Sequence, residues 1–380
     1  MVFEDNIAAE LSGLRDRSLF RQLRSAKPVG DGYIEIDGRR LLNLASNDYL
    51  GLAEDLGIPA ASDYAAGAGA SRLITGNHPT YTDVETEVAD LKHTEGALVF
   101  GSGYLANIGT IPVLVSRHDA VFSDRLNHAS IVDGIRLSGA DHYRFRHLDL
   151  EHLDQLLTEH NTHRRKLIVC DAIFSMDGDV TDLSALVDLK QKHDAILMID
   201  EAHSGGVYGP DGAGLAAAQK VSAGIDVQMG TFSKAYGCYG AYVAGSNVLI
   251  DYLVNKARTA IYTTGLPPVV LSLVAEALRV SKHDQWRRDR LMENAGIFRG
   301  ALQKANLNIG NSTSQIIPVI VGDASRTLEI SDRLREDGIA AVAIRPPTVP
   351  VNTARIRFSV TAKHSREDLE RAVDMIARAC

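Results

Sequence analysis

Five short apolar runs in this chain give way to residues that can do chemistry. "ALVF" (97–100) leads into "GSGYLANIG", and "AVFSD" (120–124) into "RLNHAS", which carries His128. "KLIVCDAIF" (166–174) is followed by Ser175, and "AILMI" (195–199) by Asp200, Glu201, Ala202 and His203. "VQMG" (227–230) precedes Thr231 and then Lys234. In an open α/β sheet, ligands sit beyond the carboxyl ends of the strands. Each residue alone has a plain structural reading, such as a satisfied histidine or an aspartate capping a turn. A glycine-rich turn, two imidazoles, a carboxylate, hydroxyls and an amine at successive run ends ask for a common purpose.

Lys234 lies in "GTFSKAYGCYG" (230–240), among small, hydroxyl-bearing and aromatic neighbours. Burial near a cationic ring lowers a lysine's pKa and frees the amine as nucleophile and base. Pyridoxal 5'-phosphate (PLP) uses such a set. It is held as an imine on a lysine, with an acid paired to its pyridine nitrogen. On this reading Lys234 carries the cofactor, and Asp200 keeps the ring nitrogen protonated. His203 bonds the phenolic oxygen and His128 stacks on the ring. The phosphate meets the Thr231 hydroxyl and the N–H groups where "GSGYLAN" opens a helix.

Rival motifs carry less. "GSGYLA" fits a loose dinucleotide fingerprint, but no clear acidic residue ends a second strand about 20 residues on, since Asp119 and Asp124 flank a strand rather than close it cleanly. "DEAH" (200–203) matches an ATPase box, yet no G-x-x-x-x-G-K-[ST] cradle exists in the 380 residues. "HNTH" (160–163) sits in the charged stretch "EHNTHRRK" and reads as a solvated loop rather than a metal pair.

The elements that position these residues alternate. Leu183, Leu186 and Val187 fall on one helical face after Asp182, as do Val84, Val88 and Leu91 after Thr82. Strands alternating with helices predict an α/β unit with a mostly parallel sheet. Three parts are expected: a helical arm and β-ribbon over 1–45, a large α/β domain over 46–270, and a linking helix with a small α+β domain over 271–380. The link is read as one long helix, about 268–305. The last helix is announced by Ser365 and Asp368 as a capping pair. Arg355 and Arg357 share a strand, one of them expected to face solvent.

Composition sets limits. With 45% hydrophobic and 23% charged residues the chain has the profile of a globular protein, and a net charge of −8 argues against nucleic-acid binding. Three scattered cysteines suggest neither a disulfide framework nor a zinc cluster. The acidic N-terminus does not read as a signal peptide, and no run is long enough to span a bilayer. A cytoplasmic setting without membrane association is expected.

The chain also resembles a known family. "SNDYLGL" (46–52), "GAGASRLITGNHPTY" (67–81), "FGSGYLANIG" (100–109), "DEAHSGGVYGPDGAG" (200–214) and "YTTGLPP" (262–268) are similar to motifs of the α-oxoamine synthases. So are "DRLNHASIVDGIRLSGA" (124–140), "IFSMDGD" (173–179) and the Lys234 segment. The resemblance implies a fold-type I, aspartate aminotransferase-like PLP-dependent transferase that condenses an amino acid with an acyl-CoA. It implies Lys234, His128 and Asp200 as catalytic residues. Gly103, Tyr104, Ser175, His203 and Thr231 join them at the cofactor. Thr263 or Thr264 would reach the phosphate of a neighbouring subunit in a homodimer. Arg357 would pair with the amino-acid carboxylate, with Asn47 near it. Arg21 would meet the acyl substrate and Thr348 line its channel.

"AIRPPTVPVNTARIRFSVTAKHS" (343–365) and "YTTGLPP" resemble the biotin-pathway branch, implying L-alanine and pimeloyl-CoA or a pimeloyl carrier protein as substrates. Another acyl-CoA, or aminotransferase chemistry, is the alternative. The chain departs from the family pattern in two places. Residues 53–67 look short, and Ala241 stands where glycine is common, which is tolerable if its φ is negative.

Overall fold

A computed structural model describes residues 3–57 and 65–380. The centre of the short segment 53–67 lies outside the described residues. The chain divides into two compact units, one of Asp48–Ser175 with Val180–Arg288, the other of Met1–Asn47, Met176–Asp179 and Asp289–Cys380.

The first unit is built on a sheet of seven strands among the described residues. Their order is Gly96–Phe100, Ala241–Gly245, Val227–Thr231, Ile196–Asp200, Lys166–Asp171, Ala120–Asp124, Asp141–Phe145. Ala241–Gly245 runs antiparallel to both its neighbours, and the remaining pairings are parallel. Side chains alternate across a strand, so each apolar run feeds two cores. Val121, Leu167, Val169 and Met198 enter one, with Ile111 and Ile131 from covering helices. Phe122, Ile168, Cys170, Leu197 and Ile199 enter the other, with Leu153, Leu183 and Leu186. Burying such a side chain is worth about 1.5–3 kcal/mol, which is why doubly covered strands read as continuous apolar runs. Ala241 lies in a strand and is not among the positive-φ residues, so its methyl is accommodated.

Helix starts follow the polar caps. Ser102, Asp149, Asp182 and Ser246 each accept from the backbone N–H three residues on. The single helix expected over 268–305 is two, Pro268–His283 and Gln285–Lys304. Asp284 between them has φ −89° and ψ 61°, and its carboxylate accepts from Arg287 Nε at 3.0 Å. A short acid that finds such a local partner favours a break over a helix interior. Leu271, Val274, Ala277 and Leu278 of the first helix pack with Tyr81, Val84 and Val88 on the sheet unit.

In the second unit Tyr33–Ile36 and Arg39–Asn43 form the predicted hairpin, joined by Ala26–Pro28 and Ile339–Ala340. A second sheet has Ala354–Ser359 between Ile316–Gly322 and Val342–Ile344, all antiparallel. Ser365 caps the last helix by accepting from Asp368 N, and Leu369, Ala372, Val373 and Ile376 are buried beneath it. Among the described residues no helix is long and apolar enough to cross a membrane.

Candidate active site

The carboxyl ends of the parallel strands border a cavity of about 220 Å³. Gly103, Tyr104, His128, Ser175, Asp200, His203, Thr231 and Lys234 all line it. So do Asn107, Ser130, Asp171 and Ser233, which sequence reasoning did not single out. Ala202 and Met229 add apolar wall.

Lys234 follows the strand Val227–Thr231, and its Nζ lies 2.8 Å from His203 Nε2. The other ring nitrogen, Nδ1, lies 2.6 Å from the hydroxyl of the fully buried Tyr49. Tyr49, His203 and Lys234 thus form a line of hydrogen bonds along which a proton can be shared.

Asp200 ends its strand and is 5% exposed. Its Oδ1 accepts from Ala202 N and its Oδ2 from Asn107 Nδ2, both at 2.9 Å. Asp171 ends the adjacent parallel strand directly opposite it. Burial, then the charge of Asp200, pushes the Asp171 carboxyl well above the usual range, although His128 N donates to it at 2.8 Å. Asp171 is therefore an acid that takes up a proton readily. The run-end rule that picked out Asp200 would have found it, since "KLIVCD" ends on it.

His128 caps the helix Ala129–Ser138. Its Nδ1 accepts from Ser130 N at 3.3 Å and lies 2.7 Å from Ser130 Oγ. An accepting Nδ1 leaves the hydrogen on Nε2. Burial holds the ring below the ordinary histidine range, so it is neutral at pH 7. The helix Gly103–Leu114, also at the cavity, begins at Ser102, whose side chain accepts from Leu105 N. The first-turn N–H groups of a helix have no partner within it and favour an anion. Thr231 Oγ1 donates to Gly240 O at 2.8 Å and lies 2.7 Å from Ser233 Oγ, so Ser233 offers the more open hydroxyl.

Other expectations fare differently. Thr263 and Thr264 do not line this cavity, and Thr264 forms a bridge with Ser71. Arg21, Asn47, Thr348 and Arg357 belong to the other unit. There Arg357 donates to Asn47 Oδ1 at 3.0 Å and Ser359 Oγ at 2.8 Å. Thr348 N donates to Arg345 O, and burial first, then the like charge of Arg21, lowers the Arg345 pKa. Neither Arg355 nor Arg357 faces solvent: they are 4% and 6% exposed. Residues two apart share a strand face, and Arg355 is paired with Asp177. "HNTH" is the expected loop, with Asn161 and Thr162 exposed, but its two histidines are half-buried and partnered. His160 stacks on Tyr143 with ring centroids 3.8 Å apart, and His163 Nε2 lies 3.3 Å from Asp141 Oδ2. Burial pushes the Cys238 thiol up to about 12, which leaves it unreactive.

Residues 39–376 match the sequence profile of the family described as "Aminotransferase class I and II". The chain is 51% identical over 377 residues to a protein of Bacillus cereus (strain G9842), covering 98% of this chain and 95% of that one. It is 48% identical to a protein of Bacillus mycoides (strain KBAB4), covering 99% and 97%. Both carry the name "Putative 8-amino-7-oxononanoate synthase". Among solved structures, serine palmitoyltransferase of Sphingomonas wittichii superposes with a TM-score of 0.92 at 30% identity, covering 99% of this chain and 96% of that one. An 8-amino-7-oxononanoate synthase of Francisella tularensis gives 0.78 at 27% identity, covering 89% and 97%.

Fold and site thus define a fold-type I, PLP-dependent transferase. Within that class the chain belongs to the α-oxoamine synthases, which are PLP-dependent acyltransferases.

The residues present fit PLP. Asp200 is a buried carboxylate whose two hydrogen bonds come from neutral N–H groups, leaving its charge for a protonated ring nitrogen. Asn107 Oδ1 is buried with no hydrogen-bond partner among the described residues. A helix start and the Ser233 hydroxyl suit a phosphate, and Lys234 is the amine on the cavity wall.

Proposed function

We propose that the protein condenses L-alanine with a pimeloyl thioester, as CoA or carrier protein, giving 8-amino-7-oxononanoate, CO2 and the free thiol. The reading is carried by about 50% identity, over 98% of this chain, to relatives bearing that synthase's name. On this reading the reaction belongs to biotin synthesis, which the relatives' name supports.

Bound PLP supplies an electron sink for the bonds at the α-carbon of the amino acid. The chain's own residues do the rest. Lys234 Nζ holds the cofactor and moves the proton at the α-carbon, with His203 Nε2 beside it as hydrogen-bond partner. Asp200 holds the ring-nitrogen proton. The neutral imidazole of His128 stacks on the ring without adding charge that would repel it. Gly103, Tyr104 and Ser175, with the hydroxyls of Thr231 and Ser233, hold the phosphate and ring substituents. Arg357 clamps the substrate carboxylate, its planar fork oriented by Asn47 and Ser359. Arg21 and Thr348 meet the acyl chain. Thr263 or Thr264 serves the site of a second subunit in a homodimer. Cα–C bond formation expels the thiol, and loss of CO2 and reprotonation follow.

A second reading keeps the chemistry and changes the substrates, as in a serine palmitoyltransferase, to which the backbone is similar. The test is a thiol-release assay on purified protein, crossing alanine, glycine and serine with acetyl-, succinyl-, pimeloyl- and palmitoyl-CoA. Alanine with pimeloyl-CoA is expected to be fastest. Preference for serine with palmitoyl-CoA would replace the reading. Oxo-acid formation from amino acid alone, without thiol release, would mark an aminotransferase.

A further inference from the structure

Asn107 sits on the apolar helix Gly103–Leu114, one turn in, with no exposed surface. Its Nδ2 donates twice, to Asp200 Oδ2 and to Ser130 Oγ, both at 2.9 Å. Reversing the amide would set its oxygen against the Asp200 carboxylate, so its direction is fixed. Ser130 Oγ, accepting from Asn107, passes its own hydrogen to His128 Nδ1 at 2.7 Å. One amide therefore ties the acid expected at the ring nitrogen to the imidazole expected on the ring face. Asp171 flanks the same pair, taking His128 N and standing opposite Asp200.

From this geometry we infer that Asn107 is a positioning residue: it fixes the Asp200 carboxylate for the pyridine nitrogen of PLP and, through Ser130, fixes the neutral tautomer and tilt of His128. A side chain that filled space alone would need neither donor. The alternative acceptor for a proton shared near Asp200 is Asp171, and of these two acids Asn107 donates to Asp200. Losing its N–H therefore weakens Asp200 as the partner of a cationic ring.

The test separates positioning from packing with two ligands. PLP has the ring nitrogen; 1-deaza-PLP has carbon in its place and cannot pair with Asp200. Cofactor-free protein is titrated with each at pH 7.5, and dissociation constants are read from quenching of intrinsic fluorescence. The native protein is expected to prefer PLP. Asn107→Leu should shrink that preference by about 10- to 100-fold, the scale of a hydrogen bond to a buried charge. Ser130→Ala should leave the preference within about 3-fold, since it cuts only the arm to His128. Should Asn107→Leu fail to fold, by its melting profile, Asn107→Ala takes its place. Equal weakening for both ligands would reduce Asn107 to packing and overturn the inference, as would an unchanged preference. A native protein that binds both ligands alike would overturn both this inference and the role of Asp200, a result distinct from any outcome of the substrate assay.

Discussion

Asp200 and Glu201 are neighbours in the chain and both are buried, at 5% and 0% exposure, yet they face two different regions. Glu201 is enclosed. It forms an ion pair with buried Lys92, and its Oε1 accepts from Ser204 Oγ at 3.1 Å and Ala216 N at 3.0 Å. Lys92 donates also to Ala213 O. Gly214 closes the pocket at φ +109°, where a Cβ would collide with Glu201 Oε1. Asp200 receives only neutral donors and opens onto the cavity. On the proposed function, the difference separates a structural charge from a functional one: the first is neutralised by the protein itself, and the second would leave its neutralisation to the cofactor.

Asp200→Asn breaks the comparison on the cavity side. It should slow thiol release by about 10²–10³-fold, the cost of removing one aligned electrostatic partner. Its thermal melting should hardly move, because no protein cation loses its partner. Thiol release and melting, measured on the same sample, check both halves.

Glu201→Gln breaks the enclosed side. Leaving Lys92 buried without its counter-charge should cost about 3–5 kcal/mol of stability, read from urea unfolding. The double variant Lys92→Met with Glu201→Leu should recover most of that loss, as apolar replacement of a whole buried pair does. If Glu201→Gln instead left stability intact and abolished PLP binding, the assignment of the two acids would be reversed.

His364 sharpens the comparison with a buried base in the other unit. Its Nδ1 accepts from Thr361 N at 3.1 Å, its Nε2 faces Asn43 O at 3.2 Å, and burial lowers its pKa from 6.5 to about 4. The unfolded chain takes a proton near pH 6.5, which the folded protein refuses until about pH 4. The stability this gives is complete above pH 6.5 and is lost as pH falls toward 4. A tenfold difference in proton affinity between the folded and unfolded chain corresponds to about 1.4 kcal/mol. Between pH 7 and 5, native protein should therefore lose about 2 kcal/mol more than His364→Asn, by urea midpoints. Taking the difference cancels other groups, including Asp48, whose carboxyl burial raises to about 6 with the opposite slope.

The smallest effect belongs to Tyr49→Phe, which removes one neutral hydrogen bond on the cavity side. PLP affinity should fall about 3- to 10-fold, with the melting temperature nearly unchanged.

The cavity was legible in the sequence because chemical residues at the ends of apolar strands have few bland explanations in common. Lys234, Asp200, His203 and His128 stand where those ends were read. What escaped depended on partners far away in the chain. Arg355 is buried because Asp177 meets it, and His160 is ordered because Tyr143 stacks on it. Asn107 left one faint trace, an amide within an apolar helix, and its donors gained meaning once Asp200, 93 positions on, lay beside it. The helix break at Asp284 turns on a contact only three residues long, which periodicity alone passes over.

The central claim is that PLP is held covalently at Lys234 in this cavity. Reduction of the PLP-loaded protein with borohydride, followed by peptide mass spectrometry, tests it most directly. A pyridoxyl adduct on Lys234 is the expected result. An adduct on another lysine, or none from protein saturated with PLP, would contradict the account.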